Sequence, residues 1–100
     1  MLGWQYKQPA EKISVSVDFT NRMGTSETVS SQTVKAFDKA GTDVSTTLVD
    51  SSSSSGKVIT AVIKAAGTDG ENYDLQFQVT GSSGNIYEED VVLAVRAETA

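Results

Sequence analysis

The chain has no cysteine and no histidine in its 100 residues. Without cysteine there is no disulfide, no thiolate metal site and no thiol nucleophile. Without histidine the usual general base near neutral pH is missing, as is the commonest metal ligand, and a Ser-His-Asp triad cannot be built. Proline occurs once, at Pro9, ahead of the first clear strand pattern, so it interrupts no ladder. Basic residues are few: Lys and Arg number 8 against 13 Asp and Glu, a net charge of −5. They are scattered singly, so no basic stripe exists to neutralise phosphates. Nucleic acid is therefore not an expected partner, nor is an anionic membrane surface. No apolar run approaches the roughly 20 residues of a membrane span. Met1 to Lys7 is too short and too polar for a signal peptide. The lack of disulfides favours a cytosolic origin or assembly into something larger.

The length supports one domain with a single modest core and net stability on the order of 5–15 kcal/mol. What fills it is period-two alternation. Ile13, Val15, Val17 and Phe19 alternate with Ser14, Ser16 and Asp18, the mark of a half-buried strand. Thr28 to Ser30 predicts a short second strand, Thr33 to Asp38 a third, and the β-branched run Val44 to Val49 a fourth. Asp50 to Gly56, with five consecutive serines, reads as a polar loop. Lys57 to Lys64 carries apolar residues on both faces, as a central strand does; a helix there is disfavoured by its short length, its β-branching and the closing Gly67. Tyr73, Leu75, Phe77 and Val79 alternate with polar residues in the clearest strand. Tyr87, Glu89, Val91, Leu93 and Val95 line one face of the last.

These segments predict an all-β fold, an immunoglobulin- or fibronectin-III-like sandwich of about seven antiparallel strands. Residues 1–8 read as a leader arm, 9–97 as the sandwich and 98–100 as a tail. Tyr73 follows the glycine-rich corner Gly67-Thr68-Asp69-Gly70-Glu71-Asn72, where such sandwiches place a tyrosine whose hydroxyl turns back to the upstream backbone. Tyr73, Gly67 and Gly70 are thus expected to be structural.

Chemistry is thinly represented. Asp69, Glu71 and Asp74 could hold calcium, but their spacing matches no EF-hand loop and acids are common in solvated turns. Glu88, Glu89 and Asp90 are consecutive, so their side chains alternate between faces; an acidic edge or solvated strand end describes them better than a glycosidase pair. The serine run has no base beside it to activate a hydroxyl. Catalysis and cofactors are not expected. Trp4 and Tyr6, in the polar leader, either cap the module's own core or anchor a partner, and they are the candidate interface residues.

Laid end to end, the chain resembles the phage fiber-tail adaptor-like family, small virion proteins of bacteriophages and prophages. The likeness rests on Pro9-Ala10-Glu11 in the leader and on Glu27-Thr28-Val29-Ser30. It continues in the corner Ala66 to Tyr73, the turn Thr80-Gly81-Ser82-Ser83-Gly84 and the strand Val91-Val92-Leu93-Ala94-Val95, covering roughly residues 9 to 96. Val29 stands where the family pattern has isoleucine, Ala66 where it has a first glycine, and Phe19 where it often has tryptophan. The resemblance implies a non-enzymatic virion structural module that links tail or fibre components through contacts with other virion proteins, with homo-oligomeric copies possible in the assembly. It transfers no defined binding residue. A carbohydrate- or cell-surface-binding module of the same fold is the alternative, and it would need aromatics in loops.

Overall fold

The computed structural model describes residues 2–97; Met1 and the predicted tail 98–100 lie outside the described residues. Seven strands and one helical turn follow in the order β1 (Leu2–Lys7), β2 (Ile13–Asp18), β3 (Val29–Phe37), α1 (Ser45–Leu48), β4 (Val49–Ser55), β5 (Val58–Ile63), β6 (Asn72–Gly81) and β7 (Ile86–Val95). They form two packed sheets, one of four strands in the order β1-β7-β6-β3 and one of three in the order β2-β5-β4.

Alternation explains the layers. Inward residues of β5 (Ile59, Ala61, Ile63), β6 (Leu75, Phe77, Val79) and β7 (Leu93, Val95) are fully buried. Phe19 closes the core just after β2, at the position where the family resemblance suggested tryptophan. At about 25 cal/mol per Å² of apolar area, burial of such side chains is the main favourable contribution to folding. The helical alternative for the Val58 region is absent: β5 is the middle strand of its sheet, as its two-sided apolar pattern requires.

Five expectations change. The strands are not all antiparallel, because β1 pairs with β7 in parallel, from Leu2↔Asp90 to Lys7↔Val95. A parallel pair needs a long crossover; here the first and last strands meet, and the rest of the domain is the crossover. Residues 2–7, read as an arm, are this strand. The separate second and third strands are one strand, β3, with a register irregularity between Val29 and Ser31 that absorbs the break in pattern. The run Val44 to Val49 is a helical turn followed by the start of β4. Local polar bonds outweigh its β-branched propensity: Asp43 Oδ1 accepts both the Ser45 amide at 2.9 Å and the Ser45 hydroxyl at 2.6 Å. The Ser45 hydroxyl in turn accepts the Ala36 amide at 2.9 Å, while Leu48 drops into the core. Finally, the five serines are a strand, not a loop, paired with β5 from Ser51↔Val62 to Ser55↔Val58. As an edge strand it draws its backbone bonds from one side only, and its side chains need no apolar face.

Candidate functional site

The glycine corner joins β5 to β6. Gly67 has φ of +107°, and a Cβ there would lie 3.0 Å from Val95 Cγ2, so both backbone conformation and space select glycine. Gly70, with φ of +89°, donates its amide to the Val95 carbonyl at 2.8 Å, tying the corner to the end of β7. The buried Tyr73 ring ends in a hydroxyl that accepts the Thr68 amide at 3.0 Å, five residues upstream. Asp69 Oδ1 accepts the Ala97 amide at 2.8 Å, and Asp74 lies on the outward side of β6. The corner acids are not gathered around a common point. Among the described residues no group of three or more acidic side chains could hold a metal ion.

Strand β1 has an inverted pattern. Gly3, Gln5 and Lys7 pair with Val91, Leu93 and Val95, the core-facing residues of β7, and so share their side of the sheet. Trp4 and Tyr6 pair with Val92 and Ala94 and face outward, 57% and 67% exposed. The usual arrangement puts apolar residues inside; here the large aromatics face solvent and a lysine faces the protein. Lys7 is only 2% exposed. Its ammonium donates to the carbonyls of Ala66 at 2.7 Å, Gln8 at 2.8 Å and Pro9 at 3.1 Å, which uses all three of its protons. Burial is the main influence on its pKa and lowers it, with Glu11 opposing.

At the opposite end, Glu27 is buried and fully engaged. It accepts the Gly24 amide at 2.9 Å, the Tyr87 hydroxyl at 2.7 Å and the Ser83 hydroxyl. These bonds, led by the one from Ser83, hold its carboxyl below the usual range. A Cβ on Gly81 would collide with this carboxylate. Two segments that carried the family resemblance, Glu27 to Ser30 and Thr80 to Gly84, therefore touch one another. Lys7 did not stand out in the sequence, and Glu27 did so only as part of a resemblance motif, not as a buried bonding centre. Period two along β1, read with apolar residues inside, would put Lys7 in solvent. Glu27 has partners 56 and 60 positions away, beyond any local pattern.

The acidic run divides. Register places β1 against Asp90 to Val95 only, so Glu88 and Glu89 occupy a strand end that β1 does not cover. Glu89 forms an ion pair with Arg22 at 2.6 Å, which lowers its pKa. Asp90 and Asp74 are diagonal neighbours on the outer face of the four-stranded sheet, because Asp74 pairs with Val92 and Asp90 with Gln76. One oxygen of each, Oδ1, is buried without a hydrogen-bond partner. Burial first, then the charges of Asp90 and Glu88, raise the Asp74 pKa.

Three surface grooves among the described residues are open and small, 290–310 Å³, and Tyr6, Lys7, Gln8, Glu11 and Arg96 line one of them. The exposed large hydrophobics among the described residues are Trp4, Tyr6 and Ile86. The arrangement offers docking rather than reaction: an aromatic edge strand, locked from beneath, beside an acidic sheet face.

No curated protein matches the chain. The family model described as Podophage GP4 fiber-tail adaptor protein gp77 matches residues 7–94. That span takes in the buried lysine, the glycine corner and both motifs joined at Glu27, and the protein belongs to this family of non-enzymatic structural components of the phage virion tail.

Proposed function

We propose that this protein is an immunoglobulin-like adaptor that joins fibre and tail components through protein–protein contacts, with the outer side of β1 as a principal docking surface. The inverted pattern of β1 carries the reading. Two of the three exposed large hydrophobics among the described residues sit two residues apart on one edge strand, while Lys7 fixes that strand from its inner side. Trp and Tyr are the residues most often found as energetic anchors of interfaces. A rigid strand presents them with little entropy left to lose on binding.

The immunoglobulin-like part of the reading is supported by connectivity. Lettering β2 to β7 as B to G gives sheets G-F-C and B-E-D, the grouping of that fold, with β1 added beside G. The Tyr73 hydroxyl, bonded to the backbone upstream of its strand, agrees with it. Several copies arranged symmetrically in the tail would suit such an adaptor. The sugar-binding alternative calls for loop aromatics, whereas Trp4 and Tyr6 are on a strand.

The test is complementation of a phage lacking this gene with Trp4→Ala/Tyr6→Ala. The variant is expected to fold with an unchanged far-ultraviolet spectrum and to give particles deficient in fibre attachment. Particles with a full set of fibres would overturn the assignment of this surface.

A further inference from the structure

The outer face of the four-stranded sheet is unusual in what it places together. One row across the strands reads Trp4, Val92, Asp74, Phe37, and the next toward the acidic end brings Asp90 beside Gln76. An exposed indole thus lies across half-buried Val92 from the half-buried Asp74, with half-buried Asp90 two residues before Val92 on β7; each carboxylate has one buried oxygen without a hydrogen-bond partner. Glu88 adds a third acid farther along the same face. Among the described residues the cations of this face do not pair with them. Arg96 is engaged with Asn72 Oδ1 and with the carbonyls of Glu71 and Val95. Lys35, in the Gln76 row on the far edge strand, is exposed and makes no ion pair with Asp74 or Asp90.

We infer that this face receives an arginine side chain from a neighbouring virion protein, its guanidinium lying over Val92 between the Trp4 ring and the Asp74 and Asp90 carboxylates. This deepens the docking reading of β1 and rests on it. The chemistry favours arginine over other occupants. A planar guanidinium stacks on an indole face and donates in a fork to carboxylates, whereas a lysine ammonium meets them as a point charge. The neighbouring Asp74 and Asp90 carboxylates repel each other in the free protein, and one cation beside them relieves that repulsion. An acidic or purely apolar partner would cover the two half-buried carboxylates without bringing a compensating charge, which is costly.

The experiment uses the full chain and two blocked tripeptides, N-acetyl-Gly-Arg-Gly amide and its citrulline counterpart, which keeps the shape and loses the charge. Trp4 is the only tryptophan, so its fluorescence reports the site directly; amide chemical shifts of β1, β6 and β7 give a second readout. The expected result is saturable binding of the arginine peptide, at least tenfold weaker for the citrulline peptide and at least tenfold weaker in Asp74→Asn and Asp90→Asn. Equal response to both peptides, or binding unaffected by the two substitutions, would overturn the proposal. So would concentration-dependent self-association that blocks the Trp4 response, because the occupant would then be a second copy. If fibre attachment depends on Trp4 and Tyr6 but the arginine peptide does not bind, the guanidinium is wrong and the docking surface stands. If the peptide binds but the Trp4→Ala/Tyr6→Ala particles are complete, the pocket has no part in assembly and the partner assignment fails.

Discussion

The Tyr87 hydroxyl donates to Glu27 Oε1 at 2.7 Å, joining the turn before β3 to the start of β7 across 60 positions of sequence. Their titrations are displaced in opposite directions. Glu27 is held below its ordinary 4.5, chiefly by the bonds from Ser83 and Tyr87, and Tyr87 is pushed above its ordinary 10.0, chiefly by its bond to Glu27. A depressed carboxylate contributes stability that is present above pH 4.5 and is lost as pH falls through its folded value. A raised phenol contributes stability that is present below pH 10.0 and is lost as pH rises through its folded value. Urea midpoints should therefore fall on both the acid and the alkaline side. Glu27→Gln is expected to flatten the acid limb, and Tyr87→Phe the alkaline one. An acid limb unchanged in Glu27→Gln would show that other carboxylates set it.

Tyr73 and Thr68 give a second test. Tyr73→Phe keeps the ring in the core and leaves the Thr68 amide without its 3.0 Å acceptor. The expected loss is about 1–2 kcal/mol, the scale of one part-buried hydrogen bond. For a domain of this size that is a drop in Tm of roughly 5–15 °C. Tyr6→Phe, at an exposed position, should change stability by less than about 0.5 kcal/mol. Equal melting of the two variants would remove the corner bond as a source of stability.

The parts of this fold readable from the sequence are those where burial and period coincide. Strands β2, β5, β6 and β7 each show alternation or a two-sided apolar run that matches their buried residues. Tyr73 was readable because its glycine corner is local. Strand β4 was not, since an exposed edge imposes no pattern on its side chains and serine is acceptable on both faces. The helical turn at Ser45 was hidden because Asp43 and Ser45 act through side-chain bonds that propensity does not capture. Strand β1 reads as a polar leader arm for a different reason: its aromatics face outward and Gly3, Gln5 and Lys7 face inward, so no buried apolar alternation marks it as a strand. That failure falls on the residues proposed to dock, where selection for a partner competes with selection for the core.

Lys7 offers a third prediction. Its ammonium bridges the end of β1, the turn at Gln8 and Pro9, and the Ala66 carbonyl beside the glycine corner. Lys7→Met would keep the buried stem and strand three carbonyls. The lost charge-assisted bonds are partly offset because no ammonium then needs to be desolvated. A net loss on the order of 1–3 kcal/mol is expected. The local consequence is more diagnostic than the total. Hydrogen exchange should accelerate in β1 and the following turn while the β5 and β6 amides keep their protection relative to global unfolding. Uniform acceleration throughout the sandwich would mean that Lys7 supports the whole core rather than the docking strand.

Asp74 should behave in the opposite way. Its carboxyl is raised above the ordinary 3.8, first by burial and then by Asp90 and Glu88, so the folded protein holds this proton more tightly than the unfolded chain does. Between pH 3.8 and the folded value the native state binds more protons, and stability contributed by this group falls as pH rises through that window. The charged form of Asp74 therefore works against folding. Asp74→Asn is expected to raise Tm at pH 7, with the gain shrinking as the pH approaches the carboxylate range and the wild-type side chain takes up its proton. Thermal melts of both proteins across that range measure it, and a variant less stable than wild type at pH 7 would show that the charge is compensated in the folded chain. The same substitution is expected to weaken arginine binding at least tenfold. Greater stability together with poorer binding would separate the two demands on this sheet face: a carboxylate that is a liability in the isolated domain is kept where a cation from the next protein in the tail can neutralise it.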